Sequence, residues 1–142
     1  MASPMAGARI FSHQLRVRYA ETDAMGVAHH SAYVPWLEEA RIEALRQLGH
    51  SYKACEAAGV LMPVVDLHLQ YRASLSFDDE LCLLTSIEVR GPSRVVFHTR
   101  IQCGDRHCAD AQVMVACVAA DGRPRRLPDE LRSALLAAAA PS

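Results

Sequence analysis

The chain has 142 residues, the size of one ordinary domain, and its 51% hydrophobic and 22% charged residues are sufficient for a folded core. Its net charge of −1 argues against a non-specific binder of nucleic acid, and no run of about 18 apolar residues predicts a membrane span. The five cysteines contain no CxxC pair and leave one cysteine over, which favours a reduced, cytoplasmic setting.

The first predicted element is a strand at residues 13–20, HQLRVRYA. There Leu15, Val17 and Tyr19 alternate with polar residues, and a period of two is typical of a half-buried strand. Residues 1–12 lack the basic and apolar regions of a signal peptide, so we expect a flexible N-terminus.

A long helix follows, from Ser31 to Leu48. Apolar residues recur at three-and-four spacing and cover much of the circumference, so we expect this helix to be well buried. Ser31 is a candidate N-cap, and Gly49 directly after the last apolar position is a plausible stop.

The rest of the chain is rich in strand patterns. A short helical or irregular piece at 52–58 precedes predicted strands at 60–74, 80–90, 93–102 and 107–119. This order predicts one α+β domain over residues 13–128, a mostly antiparallel sheet with one long helix covering a face. Residues 129–142 are expected to form a tail or a short final helix.

The loop before the long helix, ETDAMGVAHH at 21–30, carries candidate chemistry. Asp23 near a helix N-terminus has two interpretations: stabilisation by the helix dipole, typically ~0.3–1 kcal/mol, or attack on a bound electrophile. In the second, free N–H groups of the helix start would stabilise the developing oxyanion, and Gly26 would let the backbone approach a ligand.

His29 and His30 raise the question of a metal site beside Asp23. No other histidine has a spacing that completes four ligands, and no cysteine is nearby, so no metal is predicted. Because neighbouring side chains usually point in different directions, we expect one histidine to line a cleft and the other to pack or meet solvent.

A dense pattern connects this loop with the helix. The residues Tyr19-x-Glu21-Thr22-Asp23-x-x-Gly26-x-x-x-His30-x-x-Tyr33-x-x-Trp36-x-Glu38-x-Ala40-Arg41 resemble the signature of the 4-hydroxybenzoyl-CoA thioesterase family. The similarity is greatest to its small bacterial acyl-CoA thioesterase branch, associated with the Tol–Pal system. It is dense over residues 15–48, and the order of elements agrees to about residue 128.

The resemblance implies the hotdog fold, an antiparallel sheet wrapped around one long central helix. It also implies hydrolysis of acyl-CoA thioesters by a homo-oligomer, a dimer or homotetramer whose sites lie between subunits. Coenzyme A is then part of the substrate, and no cofactor is needed. Pairing between two chains would cover the open edge of such a sheet.

Carried over by position, Asp23 is the catalytic carboxylate, which attacks the thioester carbonyl or activates a water. His30 falls where a backbone N–H polarises that carbonyl, with possible help from the imidazole. The substrate-binding residues implied are Gly26, Val27, His29 and Tyr33. His29 departs from the aromatic residue common at its place, which bears on acyl preference.

Coenzyme A also requires cations for its phosphates. The turn RGPSR at 90–94 places two arginines around a glycine and a serine, and it resembles the family's contact region for pantetheine and the nucleotide phosphates. We therefore expect Arg90, Ser93 and Arg94 to bind CoA; an ordinary solvated hairpin tip is the alternative.

Two other functions stay open. A hotdog enoyl-thioester hydratase or dehydratase would need a histidine paired with an acid on the central helix, which Asp23 does not supply. A non-catalytic module that binds an acyl group or small molecule is the third possibility. Release of a free thiol separates hydrolysis from both.

Overall fold

The structure is a computed structural model and describes residues 6–140. Its strands are β1 (Phe11–Arg16), β2 (Val64–Tyr71), β3 (Glu80–Arg90), β4 (Arg94–Cys103) and β5 (Arg106–Ala116). Its α-helices are α1 (Tyr33–Gln47), α2 (Tyr52–Ala57) and α3 (Asp129–Ala138), and short 3₁₀ turns occupy Tyr19–Glu21 and His30–Ala32. Residues 1–5 and 141–142, within the predicted terminal segments, lie outside the described residues.

The five strands form one antiparallel sheet in the order β1-β3-β4-β5-β2. Strands β3, β4 and β5 are joined by tight turns, and β1 and β2 are the two edges. Because α1 packs against this sheet through one continuous apolar core, the architecture is the predicted α+β hotdog fold.

Helix α1 buries one broad face against the sheet. Trp36, Leu37, Ala40, Ala44 and Leu45 are all 2% exposed or less. The helix ends at the predicted glycine, whose positive φ of 88° allows the chain to reverse. These contacts fix the N-terminal end of α1, which borders the site described below.

The N-terminal cap differs from the prediction. Ser31 does not cap; instead the Nδ1 atom of His29 accepts the Ser31 N–H at 3.2 Å. The chain then enters α1 through a 3₁₀ turn, because the histidine ring satisfies an amide that has no partner within the turn.

In VVDLHLQY, Leu67, Leu69 and Tyr71 alternate with polar residues, a pattern that predicts one buried face. Strand β2 is less buried than this pattern predicts. Leu67 is 42% exposed and Tyr71 is 49% exposed, although both were expected on a buried face. The reason is position in the sheet: β2 pairs only with β5 among residues 6–140, so its other edge is open.

The first strand is displaced relative to its prediction. It begins at Phe11, which is 2% exposed and lies within the segment expected to be flexible. Tyr19, expected on the buried face, is 77% exposed because the chain leaves the strand before it. The Thr22 hydroxyl donates to the Tyr19 carbonyl, and the Glu21 carboxylate accepts the Arg18 N–H; these local bonds favour a 3₁₀ turn.

The C-terminal segment forms a helix that packs on the sheet. Leu131, Leu135 and Ala138 of α3 are buried, and the Arg132 guanidinium donates to the carbonyl of Gly91 at 2.7 Å. Within residues 6–140, no helix combines the length and the apolar character that crossing a bilayer requires.

Candidate active site

Residues 22–28 fold into a narrow hairpin. The Asp23 N–H donates to the Val27 carbonyl at 2.9 Å, and the Gly26 N–H donates to the Asp23 carbonyl at 3.0 Å. Gly26 has a φ of +79°, a conformation that side chains rarely adopt. The glycine therefore closes the turn that presents Asp23.

This hairpin is held against the chain that precedes β3. The Ala28 N–H donates to the Leu75 carbonyl at 2.6 Å, and Val27 forms a bridge with Ser76. Leu75 is fully buried. The loop is consequently attached to the sheet rather than free in solvent.

The two carboxylate oxygens of Asp23 have different environments. Oδ1 accepts the Met25 N–H at 2.8 Å and the Val27 N–H at 3.3 Å. Within the part of the chain that the structure describes, Oδ2 has no hydrogen-bond partner. One oxygen thus orients the group, and the other is available to a ligand.

The backbone at the start of the helix leaves one amide without a partner. The His29 N–H donates to the Glu21 carbonyl at 2.7 Å, and the Ala32 N–H donates to the His29 carbonyl at 2.9 Å. The Ser31 N–H donates to the His29 ring. Between them, the His30 N–H has no acceptor among residues 6–140. An unpaired N–H at a helix start is a ready donor for an anion.

A cleft of about 370 Å³ joins these features. It is lined by Asp23, Val27, Ala28, His30, Tyr33, Tyr71, Arg72, Ala73 and Ser74. Asp23 and His30, whose backbone N–H is unpaired among the described residues, therefore border one concave space, which is typical of a small-molecule site.

Two tyrosines form one wall of the cleft. Tyr33 is 3% exposed and packs edge-on against Tyr71, with ring centroids 4.8 Å apart. Burial raises the pKa of Tyr33 to about 12, so its phenol stays protonated at neutral pH. The Tyr71 hydroxyl donates to the His30 carbonyl at 2.7 Å.

Comparison with known proteins decides the family. The model of the thioesterase-like superfamily matches residues 17–135, which is most of the chain. The chain belongs to the thioesterase-like superfamily. It is therefore an enzyme, a thioester hydrolase with the hotdog fold.

Individual relatives agree with this assignment. This thioesterase is 35% identical over 124 residues to the acyl-CoA thioester hydrolase YbgC of Escherichia coli, covering 86% of this chain and 92% of that one. It is 40% identical over 75 residues to the putative acyl-CoA thioesterase YneP of Bacillus subtilis, and this match spans about half of each chain, 53% and 54%. The narrower 4-hydroxybenzoyl-CoA branch and the Tol–Pal association remain predictions.

A solved structure supports the fold. Protein TT1821 of Thermus thermophilus superposes on this thioesterase with a TM-score of 0.86 at 34% identity, over 89% of this chain and 98% of that one. The two chains therefore share one fold over most of their lengths.

The structure brings four of the nine predicted site residues together in the cleft. Asp23, Val27, His30 and Tyr33 all line the cleft. His29 does not: it caps the 3₁₀ turn, and its ring stacks on His30 with centroids 4.2 Å apart. The two rings lie closer than expected for neighbouring side chains, but only His30 lines the cleft and His29 is exposed, as predicted for one histidine of the pair. Gly26 also lies outside the lining and acts through the turn.

Glu21 does not line the cleft but supports the loop that does, through contacts that the sequence did not reveal. Its side chain is only 10% exposed and accepts the Arg18 N–H at 2.7 Å and the Trp36 indole N–H at 2.9 Å. Burial alone would raise the pKa of Glu21, but the hydrogen bonds from Arg18 and Trp36 outweigh it and lower the pKa. The residue pattern that carries the family resemblance includes Glu21, but no role was predicted for it.

The predicted CoA-binding residues lie far from the cleft in the same chain. They are Arg90, Ser93 and Arg94, at the β3–β4 turn. The cleft is beside Tyr71, whose partner on β5 is Ala109, and Ala109 pairs in turn with Ile101 of β4. Arg94 and Ile101 are separated by seven residues of β4, about 23 Å at ~3.3 Å per residue. One chain alone does not place these arginines at the site.

Proposed function

We propose that this thioesterase hydrolyses acyl-CoA thioesters to a free acid and coenzyme A. In this proposal Asp23 is the nucleophile or the general base, and the His30 N–H is the oxyanion donor. The observation that carries it is the shared cleft: Asp23 and His30 both line it, one with an unengaged carboxylate oxygen and the other with an unpaired amide.

A thioester is reactive enough to be hydrolysed by one carboxylate and one N–H donor. Its carbonyl is electrophilic and a thiolate leaves readily, so a carboxylate and one aimed N–H are sufficient; a single oxyanion donor is worth roughly 10²–10³ in rate. Because Met25 and Val27 hold Oδ1 of Asp23, the free Oδ2 is presented in a fixed direction.

Two routes lead to the same products. In the first, Oδ2 of Asp23 attacks the carbonyl carbon, the carbon–sulfur bond breaks, and water then hydrolyses the mixed anhydride. In the second, Oδ2 takes a proton from a water that attacks the carbonyl directly. In both, the His30 N–H stabilises the negative oxygen of the tetrahedral intermediate.

The open edge of β2 supports a homo-oligomer. Val64, Val65 and Leu67 are each more than two-fifths exposed there, and an uncovered apolar edge strand is a template for pairing. We propose that two copies pair antiparallel through β2 and form a continuous sheet, as a dimer or as the unit of a tetramer.

Such pairing would complete the CoA site. When two β2 strands run antiparallel, the end of one lies beside the start of the other. The β3–β4 turn of the second copy, with its Arg90, Ser93 and Arg94, would then lie at the same end of the sheet as this chain's cleft. Its two arginines would be placed for the phosphates of CoA.

A reducing, cytoplasmic location is also proposed. The five cysteines between residues 55 and 117 are all free thiols, and three of them are buried. A free buried cysteine packs as a small apolar residue and does not need an oxidising compartment.

A thiol-release assay tests the hydrolysis. We expect wild type to free CoA from at least one acyl-CoA or aryl-CoA in a chain-length series, and Asp23→Asn to lower kcat by about 10²–10⁴. Asp121→Asn is the matched control, because Asp121 also accepts the N–H of the residue two positions on, at 3.0 Å, yet lies in an exposed loop away from the cleft.

The outcomes separate the candidate functions. A hydratase changes the acyl group without freeing a thiol, and a binding module binds without turnover. No thiol release by wild type across the series would overturn the proposed function. Nearly full activity in Asp23→Asn, with thiol release intact, would overturn only the assignment of the site.

A further inference from the structure

We infer that Tyr71 is a positioning residue that holds the oxyanion donor in place through the backbone of His30. The inference rests on the proposed function, in which the His30 N–H stabilises the oxyanion. Tyr71 belongs to β2 and His30 to the turn before α1, so a single hydrogen bond joins the sheet edge to the helix start.

The contact is direct and the ring is supported. The Tyr71 hydroxyl donates to the His30 carbonyl at 2.7 Å. Its ring packs perpendicular to that of Tyr33, at 86° and 4.8 Å, and Tyr33 in turn packs on buried Trp36 at 4.9 Å. The phenol is therefore placed by core residues, even though Tyr71 itself is half-exposed.

The peptide unit that carries the His30 N–H is held through its own carbonyl, which accepts the Ala32 N–H at 2.9 Å, and it lies between two further anchored units. On one side, the Glu21 carbonyl accepts the His29 N–H at 2.7 Å. On the other, the Tyr71 hydroxyl binds the His30 carbonyl. Since consecutive peptide planes are linked only by φ and ψ, fixing both neighbours limits the directions in which the free N–H can point.

The hydrogen-bond inventory of Tyr71 excludes direct donation to the substrate. A phenol has one hydrogen, and here it is given to the His30 carbonyl. The hydroxyl therefore cannot donate to the developing oxyanion at the same time. The hydroxyl therefore acts on the reaction through His30. Its removal ought to lower kcat, which reports the chemical step, and leave KM nearly unchanged.

Tyr71→Phe in the full chain tests this, because it removes the hydroxyl and keeps the ring. We expect kcat for an acyl-CoA to fall about tenfold with KM within about twofold, a smaller loss than removal of an oxyanion donor. Tyr52→Phe is the control: Tyr52 also donates to a backbone carbonyl, that of Met62 at 3.4 Å, but does not line the cleft.

Amide hydrogen exchange gives a readout independent of activity. We expect faster exchange at residues 29–33 in Tyr71→Phe, unchanged exchange there in Tyr52→Phe, and similar unfolding midpoints in both variants. If wild type releases no thiol, the proposed function fails, and faster exchange at 29–33 still establishes the anchor.

Three results would overturn the inference. Unchanged exchange at residues 29–33 would mean that the hydroxyl does not hold the His30 backbone. Unchanged kcat would mean that the anchor is irrelevant to the chemical step. A rise in KM with kcat preserved would identify Tyr71 as a substrate contact instead.

Discussion

Glu21 holds the site loop from inside the protein. Its carboxylate binds the Trp36 indole of the central helix and the Arg18 N–H, while its backbone carbonyl accepts the His29 N–H. Glu21 thus connects the 3₁₀ turn at Tyr19–Glu21, helix α1 and the turn that leads into α1. Because the carboxylate is engaged with these groups, its expected contribution is to stability and loop geometry.

We expect Glu21→Gln to lower the free energy of unfolding at neutral pH by about 1–2 kcal/mol, because hydrogen bonds to a charged acceptor are stronger than those to a neutral one. The pKa of Glu21 is lowered in the folded state, so its contribution is present above the unfolded pKa and is lost as pH falls through the folded pKa. The difference between wild type and variant ought therefore to shrink in acid. Urea unfolding at several pH values measures it.

Glu56→Gln is the control for this experiment, since Glu56 is exposed on α2. It is expected to change stability by less than about 0.5 kcal/mol. Equal stability of Glu21→Gln and wild type at neutral pH, or a difference that grows in acid, would contradict the account of Glu21.

At the scale of elements, hydrophobic periodicity correctly predicted the helices and strands whose position depends mainly on their own sequence. The three-and-four spacing of α1 and the strands β3, β4 and β5 are confirmed, with shifts of a few residues at their ends. The exposure of Leu67 was not predictable, because alternation reports a strand and not its place at the edge of a sheet. Tyr19 was misplaced because side-chain bonds to the backbone ended β1 early.

The same limit applies to the site. Asp23 and His30 were singled out because they belong to one short loop that carries the family resemblance, and both line the cleft. The contact between Tyr71 and His30 spans 41 residues and depends on sheet register, which a single sequence does not give. The roles of Asp23 and His30 stay predictions, as does CoA binding by the arginine turn.

Helix α3 offers a test of its own packing. Leu135 is fully buried and its neighbour Leu136 is 49% exposed. We expect Leu135→Ala to lower the free energy of unfolding by about 2–5 kcal/mol through the cavity it creates, and Leu136→Ala to change it by about 0.5 kcal/mol or less. Denaturant unfolding of both variants measures the difference. Similar values would mean that α3 is not part of the cooperative core.

At the scale of the whole molecule, one chain is an incomplete enzyme in the proposed arrangement. The cleft lies at the open edge of β2, while the arginine turn lies at the opposite end of the same sheet. Antiparallel pairing of two β2 edges resolves both features, since it covers the apolar edge and moves a second copy's turn toward the cleft. Each site would then combine Asp23 of one copy with Arg94 of the other.

Mixing two defective subunits tests this division. Asp23→Asn alone lacks the carboxylate, and Arg94→Gln alone is expected to raise KM for acyl-CoA while leaving acyl-pantetheine turnover unchanged, because only CoA carries the phosphates. The two variants can be co-expressed with different tags and purified as a mixed dimer. One site of that dimer would combine intact Asp23 from the Arg94→Gln copy with intact Arg94 from the Asp23→Asn copy. We therefore expect about half the wild-type kcat with wild-type KM. A mixed dimer that keeps the raised KM of Arg94→Gln would show that Asp23 and Arg94 of each site come from the same chain. If light scattering shows a monomer, the β2 pairing itself is rejected.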